Sequence, residues 1–312
     1  MEARIIIWLQ SLACDWLDAI FWIITKLGEE NFYLLLFLLA YVCYNKKFAI
    51  KLMYYYLISV GVNALIKVIV ARPRPYVSNS EITNRLPASG YSFPSGHTQG
   101  YYLSASVVSA EWYIRNKEKT VSTKLSIAIA LLLMGVAVMI SRMYWGQHYL
   151  SDVLTAMIIA IALVVLLEFV MNKMPESIKS AIFSSRATII LGGVAGVVLI
   201  VMGCLNVFVG FASAKVYKFV GVFVAIGISE LIFKKIVKKD FNTTIGTRLI
   251  NALLICLLVL PINLVFGNIV AIPKWLYCVI YFAVAMICIN IFPMVVNKFV
   301  KRDDVNEKSN CK

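Results

Sequence analysis

The chain has 312 residues, of which 61% are hydrophobic and only 15% are charged. Soluble domains contain about 45–50% apolar and about 25% charged residues, so this composition, with a mean hydropathy of +0.83, excludes a water-soluble globule. It also excludes a disordered chain, collagen, a coiled coil and a disulfide scaffold. The composition therefore predicts an all-α, polytopic membrane protein built as a helical bundle.

Apolar runs separated by charged gaps predict nine membrane spans along the chain. They lie near residues 31–45, 50–70, 98–114, 124–141, 150–171, 187–208, 216–233, 249–267 and 275–297. The segment 1–28 contains Asp15 and Asp18, which disfavour a complete span. We expect it to form an amphipathic helix at the outer membrane surface, with a tenth span as the alternative.

The formal net charge is +14, from 30 Lys and Arg residues against 16 Asp and Glu residues. Twenty of these cations fall in alternate gaps between the predicted spans, and the positive-inside rule places those gaps in the cytoplasm. The basic balance therefore reflects topology, and we expect no nucleic-acid partner. Five cations break this bias at the outward ends of three spans: Lys67, Arg72, Arg74, Arg85 and Arg142. Charges placed against the bias indicate a function.

Three short segments carry most of these outward cations together with both histidines of the chain. Their sequences are KVIVARPRP at 67–75, FPSGH at 93–97 and SRMYWGQHYLSD at 141–152. The spans 98–114 and 124–141 are predicted to form a hairpin with a basic cytoplasmic turn. The three segments therefore meet at the extracytoplasmic surface.

The residue types in these segments suit acid–base and nucleophilic chemistry. His148 and Asp152 are four residues apart at a helix start, so their side chains share one face. The carboxylate can then accept the ring N–H and orient the imidazole, which leaves the other nitrogen as a nucleophile or base. Ser95 and Gly96 resemble a helix N-terminus, where backbone N–H groups bind phosphate, and His97 beside them would be a second acid or base.

Lys67, Arg74 and Arg142 have no carboxylate nearby in sequence, which suits the binding of a multiply charged oxyanion. With no carboxylate cluster near the motifs, the pattern predicts phosphoryl transfer without a metal or cofactor. Simpler explanations exist for single residues: Lys67 could snorkel to the interface, and His148 with Asp152 could be a structural pair. They do not explain why both histidines lie beside the outward cations.

The motifs K-x6-RP, PSGH and SR-x5-H-x3-D resemble, in order and spacing, the signature of the type 2 phosphatidic acid phosphatase (PAP2) superfamily. The resemblance covers roughly residues 15–172. It implies a PAP2-type catalytic membrane core at 1–172, with 1–28 as the interfacial helix, and a transmembrane extension of about four helices at 187–312 whose role is unknown. The gap at 173–186 is the predicted boundary.

The same resemblance implies a role for each matching position. His148 would attack phosphorus and form a phosphohistidine, Asp152 would orient it, and His97 would protonate the leaving group and then activate water. Five residues would bind the phosphoryl oxygens: Lys67, Arg74, Ser95, Gly96 and Arg142. The PSGH sequence differs from the PSTH that we associate with sphingosine-phosphate phosphatases.

These expectations together describe a phosphatase acting on a lipid phosphate or pyrophosphate at the outer face of the cytoplasmic membrane. Candidate substrates are phosphatidic acid, phosphatidylglycerophosphate and undecaprenyl pyrophosphate, with membrane lipids and a second copy of the chain as possible partners. Two alternatives stay open. The same site could transfer the phosphoryl group to another lipid, or the four-span extension could indicate a lipid transporter or translocator.

Overall fold

The computed structural model describes residues 1–86, 88, 90–184, 186–190, 194, 214–236, 244–267 and 273–299. Within these ranges the regular structure is helical, with no strand. The all-α class predicted from composition is therefore confirmed. Most of the predicted span 187–208 lies outside the described residues.

Twelve helices are described, and they are numbered in chain order. They are α1 (Glu2–Ser11), α2 (Asp15–Lys26), α3 (Glu30–Leu39), α4 (Lys46–Val70), α5 (Pro75–Ser78), α6 (Gly96–Arg115), α7 (Val121–Tyr144), α8 (Leu150–Lys173), α9 (Glu176–Ile182), α10 (Ala214–Ile236), α11 (Ile245–Gly267) and α12 (Lys274–Met286). Two π-helical turns follow α3 and α12, at Ala40–Tyr44 and Ile287–Ile291. Residues 186–190 are also helical.

Five described segments are long and apolar enough to cross a membrane: Lys46–Ser78, Val121–Tyr144, Leu150–Lys173, Ile245–Phe266 and Trp275–Phe299. A sixth apolar segment, Glu30–Tyr44, is shorter. The chain is thus a polytopic membrane protein, as its hydropathy predicted. Helices α6 and α10 are not among the five, although both were predicted as spans. Helix α6 has a lower hydropathy than the five segments because it contains polar residues, among them Gln99 and Ser104, whose side chains are buried.

The amino-terminal segment forms two short helices rather than one. Helix α1 has 10 residues and α2 has 12, with a break at residues 12–14 between them. A membrane-spanning helix needs about 20 residues, so neither is long enough to be one. The first turn of α2 carries both Asp15 and Asp18, the two acids that disfavoured a span in the sequence.

The described chain forms two compact units. The first contains Met1–Phe32 and Leu52–Lys173, and the second contains Tyr33–Lys51 and Met174–Lys312. In the first unit α6 packs against α7 and α8, while α1 and α2 pack against α7. In the second unit α10 packs along α12, and α11 packs against the π-helical turn Ala40–Tyr44. Residues 33–51 are predicted to belong to the core, whereas their contacts group them with the carboxy-terminal part.

Candidate active site

The start of α6 brings the PSGH segment next to α8. Ser95 is the N-cap of α6 and is fully buried, and its hydroxyl accepts hydrogen bonds from the Thr98 N–H (3.5 Å) and hydroxyl (3.1 Å). Its own N–H donates to the carbonyl of Asp152 at 3.1 Å. This bond joins two of the three predicted segments. The helix N-terminus leaves the first N–H groups of α6, from Gly96 onward, without helical partners.

A buried amide network fixes α6 against α4. Asn63 Nδ2 donates to Gln99 Oε1 (2.8 Å) and to the Pro94 carbonyl (3.3 Å). Gln99 Nε2 in turn donates to the carbonyl and hydroxyl of Ser59, both at 2.9 Å. Buried polar groups need such partners, so this network fixes the height of the PSGH turn relative to α4. Neither Asn63 nor Gln99 is predicted from the sequence, because a lone amide in an apolar run carries no motif.

Backbone carbonyls orient two of the three predicted phosphate-binding cations. Lys67 Nζ donates to the Tyr91 carbonyl at 2.8 Å. Arg74 Nε donates to the Gly90 carbonyl at 2.9 Å, and its Nη1 donates to the Gln147 carbonyl at 3.0 Å. A neutral carbonyl holds a cation in place without cancelling its charge. These hydrogen bonds fix the direction of both cationic side chains.

Arg142 is the third of these cations and lies in the last turn of α7, with a relative exposure of only 5%. Its Nη1 donates to the hydroxyl of Thr25, in α2, at 2.7 Å. Its Nε has no hydrogen-bond partner among the described residues. A buried guanidinium N–H without a partner is costly, and it marks a direction in which an oxyanion would be bound.

The loop between α7 and α8 is shaped to bury His148. Gly146 has φ +73°, a conformation that glycine adopts without strain, and a Cβ there would lie 2.6 Å from the Thr83 carbonyl. Gln147 is fully buried and donates to Asn84 Oδ1 at 3.0 Å. His148 itself is 2% exposed. Burial lowers its pKa well below the ordinary value, and the three cations of the site act in the same direction, so the imidazole is neutral near pH 7.

Asp152 is fully buried in the first turn of α8. Its Oδ2 accepts the Tyr149 N–H at 2.8 Å and lies 3.6 Å from Nδ1 of His148. That separation is longer than a hydrogen bond, although such contacts are often loose before a ligand binds. The predicted orienting role of Asp152 stays a prediction. Its closest charged partner in the structure is Arg72.

Arg72 is an outward cation to which the sequence motifs assign no role. Its Nη1 donates to Asp152 Oδ1 (2.8 Å) and to the Ser151 hydroxyl (2.6 Å), and its Nη2 donates to Glu2 (2.9 Å). Glu2 also accepts the Ser151 N–H at 2.6 Å. Burial raises the pKa of Glu2, but the hydrogen bonds from Ser151 and Arg72 outweigh it and lower the pKa. Arg72 therefore links the amino-terminal helix to the carboxylate beside His148.

Arg85, the last of the outward cations, belongs to a separate contact. It pairs with Asp18 of α2 at 2.7 Å and donates to the Tyr144 hydroxyl at 2.8 Å. Tyr144 also donates a short hydrogen bond to Asp18. These bonds fasten α2 and the loop at 79–86 to the end of α7, which gives Arg85 a structural role.

The structure thus brings the three predicted segments together at one end of the first unit. Lys67, Arg74 and Arg142 lie near enough to His148 to affect its charge, and Ser95 and Asp152 are hydrogen-bonded through their backbones. Across the described ranges, no three His, Cys, Asp or Glu side chains group as metal ligands would. A buried imidazole among cations, within a bundle of membrane helices, is an arrangement that can bind an oxyanion.

Sequence comparisons relate part of the chain to a known superfamily. Residues 48–175 match the family model of the PAP2 superfamily, in agreement with the resemblance that the motifs predicted. Undecaprenyl-diphosphatase BcrC of Bacillus subtilis (strain 168) is 33% identical over 100 residues, 32% of this chain and 46% of that protein. A Dictyostelium discoideum protein named "Probable sphingosine-1-phosphate phosphatase" is 28% identical over 166 residues, 51% of this chain and 40% of that protein.

The chain therefore matches less than half the length of these two relatives. Among solved structures, a transmembrane PAP2-type phosphatidylglycerolphosphate phosphatase from Bacillus subtilis is similar to 56% of this chain. The similarity covers 86% of that chain, with 22% sequence identity and a TM-score of 0.48.

Proposed function

We propose that this chain is an integral membrane phosphatase that hydrolyses the phosphate or diphosphate group of a lipid. One observation carries the proposal: His148 is buried, and burial together with the charges of Lys67, Arg74 and Arg142 lowers its pKa well below the ordinary value. A neutral imidazole is a nucleophile, and three cations around it attract the dianion that it would attack. Phosphoryl transfer needs mainly such positioning and charge stabilisation.

In the proposed first step, Nε2 of His148 attacks phosphorus in line with the leaving oxygen. A P–N bond forms while the P–O bond breaks, and the electron pair of that bond stays on the leaving oxygen. His97 donates a proton to this oxygen as it departs. The three cations and the N–H groups at the start of α6 stabilise the charge on the equatorial oxygens. Asp152 stabilises the positive charge that His148 acquires.

In the second step, His97 is neutral and accepts a proton from a water molecule. The water oxygen attacks phosphorus, the P–N bond breaks, and its electron pair returns to His148. Inorganic phosphate leaves, and both histidines are back in their starting protonation states. The distribution of basic residues supports placing this chemistry at the extracytoplasmic face of the plasma membrane.

The lipid nature of the substrate is supported by the position of the site at the ends of membrane helices, which a lipid can reach sideways. Phosphatidic acid, phosphatidylglycerophosphate and undecaprenyl pyrophosphate are the candidates. The names of the two relatives point to different substrates, a diphosphate for one and sphingosine-1-phosphate for the other, so they do not select among them. The PSGH sequence disfavours the sphingosine-phosphate group.

The test is an assay of the purified, detergent-solubilised protein against the three candidates and sphingosine-1-phosphate, with glucose 6-phosphate as the soluble control. We expect phosphate release from at least one lipid and none from the sugar, and no release by the His148→Ala variant. Labelled phosphate separates hydrolysis from transfer, because a transferase would deliver the label to a second lipid. A monodisperse protein that releases phosphate from none of the lipids would contradict the proposal.

A further inference from the structure

The end of α2 contacts two residues of the candidate site that are far apart in sequence. Thr25 lies in the last turn of α2, is 1% exposed, and accepts the hydrogen bond from Arg142 at 2.7 Å. Gly28 follows three residues later and lies against His97. Neither residue belongs to the three motifs. One helical turn therefore contacts both the phosphate-binding arginine and the proposed acid.

The contact of Thr25 fixes the direction of a buried guanidinium. The five N–H groups of an arginine lie in one plane, so holding Nη1 restricts where the others can point. Arg142 Nε, which has no hydrogen-bond partner within the described part of the chain, is set by the same plane. Without the Thr25 hydroxyl, the guanidinium would rotate in its pocket and the other N–H groups would leave their positions.

Gly28 packs so closely against His97 that there is no room for a side chain at position 28. A Cβ at this position would lie 2.6 Å from Cβ of His97, 3.0 Å from its Cδ2 and 3.1 Å from its Cα. Real Cβ atoms do not approach other atoms this closely. Any larger residue at position 28 must push His97 and the first turn of α6 away. Glycine at 28 is therefore required for the observed position of His97.

We propose that Thr25 and Gly28 are positioning residues for the phosphoryl transfer, Thr25 acting through Arg142 and Gly28 acting through His97. This inference rests on the proposed function. It gives the two residues separable effects: Thr25 governs the binding of the phosphoryl oxygens, and Gly28 governs protonation of the leaving group. The last turn of α2 and the turn that follows it are then part of the active site, although the family match begins only at residue 48.

Thr25→Val keeps the shape of the side chain and removes the hydroxyl, whereas Thr25→Ser keeps the hydroxyl. We expect Thr25→Val to lower kcat/KM about 10–100-fold, the range for a buried charged donor that loses its acceptor. The loss should be equal for a lipid phosphate and for p-nitrophenyl phosphate. Thr25→Ser should stay within about 3-fold of the unmodified protein. Orthovanadate affinity, measured from thermal shifts, should fall in parallel with kcat/KM.

Gly28→Ala should act differently on the two substrates. A lipid alkoxide needs a proton when it leaves, so displacement of His97 should lower kcat/KM about 10²-fold or more. Nitrophenolate needs no proton, so its kcat/KM, which reports only on transfer to His148, should change less than about 3-fold. The matched control is Gly61→Ala in α4, where an added Cβ meets nothing within 4 Å. It should leave both substrates unaffected.

A Thr25→Val variant that equals Thr25→Ser in both kcat/KM and vanadate affinity would overturn the role of Thr25. Equal losses on both substrates for Gly28→Ala, or no loss, would overturn the role of Gly28. If Gly28→Ala does not yield monodisperse protein, the inference is judged by Thr25→Val against Thr25→Ser, and equal kcat/KM for these two variants overturns it. If the unmodified protein binds vanadate but hydrolyses no substrate, the proposed function fails, and vanadate affinity still judges Thr25.

Discussion

Replacing Arg72 by glutamine removes the cation that pairs with the most deeply buried carboxylate of the candidate site. Asp152 has no exposed surface, and Arg72 contributes a 2.8 Å ion pair to it, with further hydrogen bonds to Ser151 and Glu2. Loss of one partner leaves the other charge buried and unpaired. We therefore expect Arg72→Gln to lower both stability and turnover.

The magnitude follows from the burial of the pair. Removing one partner of a fully buried ion pair costs about 3–5 kcal/mol. The Arg72 side chain is 28% exposed, so water replaces part of the interaction and about 2–3 kcal/mol is expected. That corresponds to a fall of about 4–12 °C in Tm. If about half of the loss reaches the orientation of His148, kcat falls roughly 10-fold.

The measurements are thermal unfolding in detergent and kcat on a lipid phosphate. Arg72→Lys keeps the charge but loses the forked geometry. Its Tm and kcat should therefore fall between those of the unmodified protein and those of Arg72→Gln. The matched control is Arg115→Gln at the opposite end of α6, where the ion pair with Glu111 is half exposed and should contribute less than about 1 kcal/mol. An Arg72→Gln variant with unchanged Tm and kcat would refute the reasoning, because Asp152 would then not depend on Arg72.

Four further predictions concern the chemistry and the two parts of the chain. His148→Ala should abolish turnover and Asp152→Asn should lower it about 10²–10⁴-fold; acid-labile phosphate trapped on any residue other than His148 would contradict the assignment. Activity should survive EDTA and be inhibited by vanadate, since in the proposed mechanism Lys67, Arg74 and Arg142 rather than a metal hold the phosphoryl group; restoration by magnesium after chelation would count against this. The lowered pKa of His148 keeps it neutral and active above that pKa, so the acidic limb of kcat/KM, corrected for ionisation of the substrate, should lie below pH 6.5; an acidic limb centred above pH 6.5 would oppose it. Truncation after Ser180 should retain hydrolysis of a short-chain lipid phosphate while lowering stability, because residues 33–51 lose their packing partners; a folded, inactive truncation would place catalytic groups in 187–312.

The candidate catalytic positions were readable from sequence because their signals are local. Hydropathy identifies helices that must satisfy their backbone hydrogen bonds inside a membrane. The fixed spacing between His148 and Asp152 needs only one helical turn. The convergence of the three motifs followed from counting spans, because a hairpin of two helices returns the chain to the same face. These inferences require no knowledge of which side chains pack together.

The partners of these residues were not readable, because they come from distant parts of the chain. Glu2 reaches Arg72 across 70 residues, and Thr25 reaches Arg142 across 117. A glutamate or threonine in an amphipathic segment looks the same whether it faces headgroups or an active site. Only packing of α1 and α2 against α7 decides this.

The sequence by itself determined the membrane class and the superfamily signature, and it singled out the candidate reactive side chains. Tertiary structure decided which groups hold those side chains in place, that Asp152 pairs with Arg72, and that residues 33–51 pack with the carboxy-terminal part. The physical reason is the separation along the chain over which each interaction acts. Hydropathy and helical periodicity act over a few turns, whereas a hydrogen bond forms wherever packing brings a donor within about 3 Å of an acceptor, at any separation along the chain.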